Sequence, residues 1–362
     1  MMRTSLLAVP FALVTLAAAA CVEEESTLGV DTAGLGVVNG NGDPCPKLGC
    51  GSNSAHVGPA EFHELDETGV TPNAEGLRIT GFSKGGLPFI LDVTGTTLTG
   101  RIWFFGAWYT LSGANLVGSK ISLVGPPNNT AYEINIVGVT SQTMWQAPLA
   151  QIETYELTWN IAGGFYAAAP PSVCSDPPNR KEGEMALWDN PKEAILFTGD
   201  RYDTDALTVT STSASPWFNV ACAGTVMAKL ALNRHTTATA SSAVTTTWAQ
   251  RQAMLKMYTS DVCGNGDSLT VTGTPIQWVS TTGLTSAASY NTMEARWNEH
   301  GAMCLTTHRL NNTPHDMDGD PTDSTVIDQI RLSCGGERYV PPPCTSHPPA
   351  YYLRTSSPAI PD

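Results

Sequence analysis

Cationic residues are scarce in this chain. Lys and Arg number 19 against 33 Asp and Glu, giving a formal net charge of −14 over 362 residues. A surface this acidic has no electrostatic footprint for nucleic acid and is repelled by phosphate-rich polymers. Long apolar runs are missing too. The run from Leu6 to Ala20 is broken by Pro10 and Thr15 and falls short of the roughly 20 residues that a membrane span needs. No C-x-x-C pair and no H-E-x-x-H segment occurs, so zinc finds no familiar ligand spacing. The 7 histidines lie far apart, and no nucleophilic triad can be read from neighbouring positions.

What is present begins at the N-terminus. A single early charge, Arg3, an apolar middle and small residues up to Ala20 describe an export leader over residues 1–20. Its plain reading is cleavage after Ala20 by ordinary signal peptidase. The sharper one is that Ala18-Ala19-Ala20-Cys21 resembles the lipobox of bacterial lipoproteins, in which the cysteine is acylated. Val22 follows where lipoproteins retained in the inner membrane carry aspartate. The expectation is therefore an outer membrane lipoprotein, on its periplasmic or cell-surface side, held to the membrane through Cys21. Residues 21–44 lack apolar periodicity and are rich in Gly, Asp, Asn and Thr, the composition of a disordered tether. Such a tether averages about 26 Å end to end.

The chain has 9 cysteines. With Cys21 taking a lipid, an even set remains: Cys45, Cys50, Cys174, Cys222, Cys263, Cys304, Cys334 and Cys344. Exported thiols meet an oxidising environment, so these are disulfide candidates, and spacing alone leaves the connectivity open. Cys45 with Cys50 and Cys334 with Cys344 are near enough in sequence to close short loops.

Residues 45–166 read as an all-β domain, a sandwich or barrel. GLRITGF, PFILDV, TLTGRIWFFGAWYTL, SKISLVG, AYEINIVGV and TYELTWNI alternate between turn residues. In RIWFFGAWYTL, Trp103, Phe105 and Trp108 are expected to pack in the core, the usual place for aromatics in strands; a ligand groove is the alternative. Residues 167–193 are Pro-rich and charged and read as a connector. Residues 194–335 read as an α+β domain. AILFTGDRY and LTVTST are predicted strands. SASPWFNVACAGTVMAKLALNRH is predicted as a buried helix capped by Ser215, with Arg234 and His235 at its C-terminal dipole. TTTWAQRQAMLKMYTSDVC is predicted as a second helix with a Thr cap, stopping at Gly264. Residues 336–362 read as a Pro-rich extended tail.

Three stretches are candidates for chemistry. Gly81-Phe82-Ser83-Lys84-Gly85 matches G-x-S-x-G, yet Gly86 and Pro88 follow it, whereas a nucleophile elbow needs a helix after the serine. Asp316, Asp318, Asp320 and Asp323 in HDMDGDPTD are calcium candidates, but an EF-hand loop wants glycine where Pro321 stands and glutamate where Ile327 stands. The plain reading there is a solvated acidic loop and no cofactor. Gly199-Asp200-Arg201-Tyr202-Asp203 reads as a local ion pair at a turn.

The stretch QRQAMLKMYTSDVCGNGDSLTVTGTPIQW, with Asp261 and Cys263 inside it, joins GDRYD, WFNVACAG and the Arg234-His235 pair in a resemblance to the ADYC-domain family of Gram-negative lipoproteins and secreted proteins. The matching stretches run from about residue 194 to 305, and the upstream GCGSNS and PNAEGLRITGF resemble the segment that precedes the domain in full-length members. Ser260-Asp261-Val262-Cys263 keeps the aspartate and cysteine of the name-giving tetrapeptide. The family implies no substrate, activity or catalytic residue. Physically, Cys263 at a helix end can bridge to Cys222, with Cys174 and Cys304 as alternative partners, and Asp261 can accept from nearby backbone donors. That describes a structural clasp. The expectation is a non-catalytic binding or structural module for a protein or glycan; the competing expectation is a secreted hydrolase acting on an envelope or extracellular polymer.

Overall fold

The computed structural model describes residues 32–33, 54–164, 169–174, 190, 192–210, 216–241, 244–270, 274–286, 292–306, 334–336, 340–344 and 351–357. The first strands are β1 (Thr32–Ala33), β2 (Ala55–Val57), β3 (Ala60–Phe62) and β4 (Glu64–Asp66). Two hairpins follow, β5 (Arg78–Lys84) with β6 (Leu87–Thr94) and β7 (Thr97–Phe104) with β8 (Ala107–Ser112). Then come β9 (Ser119–Gly125), β10 (Thr130–Thr143) and β11 (Gln151–Ile161), and after them β12 (Glu193–Thr198), β13 (Arg201–Asp203), β14 (Thr208–Thr210) and β15 (Trp217–Cys222). The helices α1 (Val226–Leu232) and α2 (Trp248–Thr259) precede β16 (Thr274–Pro275), β17 (Gln277–Ser280), β18 (Thr292–Asn298), β19 (Gly301–Leu305) and β20 (Leu353–Ser357). Strands thus dominate, in several sheets, with two α-helices among the described residues.

One ten-stranded sheet runs in the order β4-β15-β12-β11-β10-β9-β5-β6-β7-β8. It takes strands from both sides of the expected connector: β11 pairs with β12, and β4 with β15. Its centre follows the alternating pattern read in the sequence. Ile134 faces Ile121 and Tyr132 faces Leu123 across β9 and β10, and Phe82 faces Ile121 across β5 and β9. All are buried, so apolar cross-strand pairs hold the register.

β12 and β15 form the wall between two cores. Ala194, Leu196, Phe218, Val220 and Cys222 pack with the strands of the N-terminal half. Ile195, Phe197 and Ala221 pack on the other side against α1, α2 and the C-terminal strands. This corrects the helix expected over 215–235. Trp217–Cys222 is a strand buried on both faces, and such a strand shows no alternation from which to recognise it. The helix begins only at Val226, where Thr225 accepts from the Ala228 N–H. Ser215 lies outside the described residues. At the other end Arg234 takes φ 59°, and the His235 N–H reaches the Leu230 carbonyl at 2.8 Å, a Schellman-type stop.

α2 starts as expected on Thr247. The Thr247 hydroxyl accepts from the Gln250 N–H, and the Gln250 side chain accepts from the Thr247 N–H, which is a capping box. It ends earlier than Gly264, at Ser260 with φ 53°. Gly264 instead sits against the β18–β19 turn: at φ +71° its absent Cβ would lie 1.7 Å from the His300 carbonyl oxygen.

A four-stranded sheet, β17-β20-β18-β19, closes the C-terminal half. β20 lies in the stretch expected to be tail, yet it is an inner strand. Leu353 and Thr355 are fully buried, and the Thr355 hydroxyl accepts from the Trp297 indole at 2.9 Å.

Candidate functional site

The residues that carry the family resemblance point inward. Asp200 and Arg251 form an ion pair at 3.1 Å, both buried, and the other Asp200 oxygen accepts from the Thr237 N–H at 2.9 Å. Arg201 grips Glu64 with Nε and Nη2 while its guanidinium lies 4.1 Å over the Trp217 ring. Lys256 donates to Asp261, and Asp261 also accepts from the Asn265 and Gly266 N–H groups, each at 3.0 Å. Burial pushes the Asp200 and Asp261 carboxyls above their ordinary range, against the pull of Arg251 and Lys256. Arg234 donates to the carbonyls of Gln146, Thr239 and Pro148. His235 donates from Nδ1 to the Asn233 carbonyl at 2.7 Å, its ring edge-on to Trp278. Burial lowers its pKa to about 4, so it is neutral and adds no charge to the α1 terminus. Each group ties one backbone segment to another.

The disulfides correct the expected pairing. Cys222 bonds Cys174, Cys263 bonds Cys334, and Cys304 bonds Cys344. Cys222 on β15 faces the N-terminal core, where Cys174 lies bridged to Ala55, while Cys263 follows α2 on the opposite side of the wall. A Cys222–Cys263 bond would have to cross the sheet. A Cys334–Cys344 loop is likewise excluded by their other bonds. Cys21, Cys45, Cys50, Asp316, Asp318, Asp320 and Asp323 lie outside the described residues.

Ser83 stands on β5, in register with Pro88 and Lys120. The chain turns at Gly85-Gly86 straight into β6, so this is a hairpin and not an elbow. A cleft of about 210 Å³ collects Glu61, His63, Glu64, Asn73, Glu75 and Thr225. It is smaller than the ~300 Å³ at which ligand pockets usually begin. Its inner polar groups are engaged: Glu64 holds Arg201, and His63 donates from Nε2 to the Tyr202 carbonyl at 3.0 Å. Burial lowers the His63 pKa.

The largest departure from expectation is the hairpin β7–β8. Trp103, Phe105 and Trp108 are not core: their exposures are 57%, 88% and 58%, and Phe104 and Tyr109 are at 42% and 52%. The packed core ends where the Phe82 ring fills the space that a Cβ on Gly100 would need, 2.5 Å away. Beyond that point both hairpins continue into solvent. Trp103 and Trp108 pair across the strands with ring centroids 5.4 Å apart, and Phe104 sits 4.1 Å from Phe105 and 6.3 Å from Tyr109. The turn residues Phe105 and Gly106 have φ 48° and 80°, the signs a type I′ turn requires and which Asn or Gly normally supplies. A signal for this exposure existed. Trp103-Phe104-Phe105 and Trp108-Tyr109 are consecutive, so their rings lie on both faces of the ribbon, and one core cannot take both.

A model of the ADYC domain matches residues 113–311, over half of the chain. The chain belongs to the ADYC-domain family. No curated protein and no solved structure matches it. The ADYC match starts earlier than the resemblance in the sequence suggested. It takes in β9, β10 and β11, and thus the middle of the ten-stranded sheet. It also begins one residue after β8 ends, so the aromatic hairpins fall outside the ADYC domain and share its sheet.

Three disulfides place the protein in an oxidising, exported environment. No helix among the described residues is long and apolar enough to cross a membrane.

Proposed function

We propose that this ADYC protein is an outer membrane lipoprotein, acylated at Cys21, that works as a binding module through the free end of β5–β8. The observation that supports the binding reading is the group of five exposed aromatic rings at the β7–β8 turn. Rings left in water at this density mark an interaction surface. The ADYC domain is then the rigid base, its charged residues spent on internal ties, and residues 21–44, within which Thr32–Ala33 pairs with Thr274–Pro275, link base and anchor.

The test is retention on isolated cell envelopes. In a chain carrying Cys21→Ser, so that no acyl chain contributes, Trp103→Ala with Trp108→Ala should release most of the retained protein. His63→Ala, in the small cleft, should not. Equal retention of the tryptophan variant and its parent would sink the binding reading. Labelling by a fluorophosphonate probe that disappears in Ser83→Ala would put a hydrolase in its place.

A further inference from the structure

The chemistry around the aromatic turn narrows what it binds. From Gly76 to Tyr132 the sequence holds Arg78, Lys84, Arg101 and Lys120 against one acid, Asp92, within a chain of net charge −14. At the free end the contrast is complete: residues 82–90 and 101–111 contain Lys84 and Arg101 and no carboxylate. Not every cation there is available. Lys120 is paired with Glu133 at 2.8 Å, and Arg101 lies in the field of Glu67. Lys84, beside the Gly85-Gly86 turn, donates to a neutral acceptor, the Asn115 carbonyl. Both turns stand at the same end of the sheet, since β5, β6, β7 and β8 run antiparallel in succession.

This end is exposed, aromatic and cationic. A sugar-binding platform needs polar groups placed beside its rings to fix hydroxyls, and apart from the rings' own Tyr109 hydroxyl and indole N–H groups residues 101–111 offer only Arg101 and Thr110. A second copy would bring like charges together, although the open edge of β8 could pair with another strand. A fluid anionic surface meets every requirement. Trp and Tyr rings favour the headgroup level of a bilayer, Phe enters the acyl boundary, and each nearby Lys or Arg gains from anionic headgroups.

We infer that the β5–β8 end docks on an anionic lipid surface, with Phe105 at the point of entry, Trp103, Trp108 and Tyr109 at headgroup depth, and Lys84 on the phosphates. The inference rests on the binding reading above and names its partner. It gives the protein a membrane contact separate from the proposed lipid anchor. Phe105 then has a reason for its place: a left-handed backbone position, normally given to Asn or Gly, is spent on an apolar ring that is 88% exposed and sits against the Phe104 ring.

The test is co-sedimentation of the full chain carrying Cys21→Ser with sucrose-loaded vesicles, either phosphatidylglycerol mixed with phosphatidylcholine or phosphatidylcholine alone. Binding should favour the anionic vesicles. Phe105→Asn should weaken it by about tenfold with no fall in melting temperature, because Asn suits the turn. Lys84→Glu should weaken anionic binding by about tenfold and leave phosphatidylcholine binding unchanged. Brominated acyl chains should quench tryptophan emission in the parent and not in Trp103→Phe with Trp108→Phe. The inference is overturned if Phe105→Asn binds like its parent, if the two vesicle types bind equally, or if the variants change only the oligomeric state. Envelope retention that needs Trp103 and Trp108 while vesicle binding does not would keep the binding reading and remove the lipid.

Discussion

Two regions of the molecule handle side-chain chemistry in opposite ways. In the ADYC domain Asp200, Arg251, Lys256 and Asp261 are buried and paired. In the hairpins just before it, Trp103, Phe105 and Trp108 are in water. Each arrangement costs free energy: burying a charge forfeits hydration, and exposing a ring forfeits burial. The buried charges recover theirs from one another within the fold. The exposed rings have no such compensation inside the molecule, and this asymmetry makes the hairpins the place to seek a partner.

If that contrast is right, the heaviest damage should come from the inward-facing charges. Asp261→Ala leaves Lys256 buried with the Ala206 carbonyl as its remaining acceptor, and a loss of about 3–5 kcal/mol is expected in denaturant unfolding. Restoration on adding Lys256→Met would locate the cost in the stranded charge. Next, Cys263→Ala with Cys334→Ala opens a bond between residues 71 apart, and a loss of about 2–4 kcal/mol should appear in the same measurement.

A smaller effect is tied to pH. The folded pKa of His235, about 4, is below its unfolded value near 6.5. Its contribution is present above the unfolded pKa and is lost as pH falls towards the folded one. Between pH 6.5 and 4.5 this should remove about 2 kcal/mol. His63, also lowered, acts in the same sense, while the raised carboxyls of Asp200 and Asp261 act in the opposite one. The informative quantity is thus the difference between parent and His235→Phe. If the two pH profiles are parallel, His235 is not the group that titrates. The smallest effect belongs to the hairpin: Phe105→Asn should raise stability by about 1 kcal/mol. A fall instead would mean that Phe105 packs on the fold and is not held ready for a partner.

Parts of this arrangement are written in local sequence and parts are not. Strands with one wet face, such as β9 and β10, declare themselves by alternation, and Thr247 with Gln250 announces α2 through a capping box. β15 is hidden because both its faces are dry. β20 is hidden because its sequence, LRTSS, is polar and follows prolines, its inner position arising from neighbours far away in the chain. The disulfide partners were hidden for a related reason: which side of the wall Cys222 faces depends on the register of β15 with β12, and no spacing encodes that. For the candidate site, GDRYD and DVCG drew the eye as motifs and proved to be internal ties. The aromatic turn was visible but was assigned to a core that ends at Gly100.

The placement of β20 between β17 and β18 has an outcome in time. Their shared sheet lacks its middle until residues 353–357 arrive, so β17 and β18 cannot join before those residues are made. The Cys304–Cys344 bond comes under the same schedule, since Cys344 is itself a late arrival. Folding of this half therefore waits for residues 353–357. Cutting the chain before Leu353 would leave β17 and β18 with facing edges and nothing to join them.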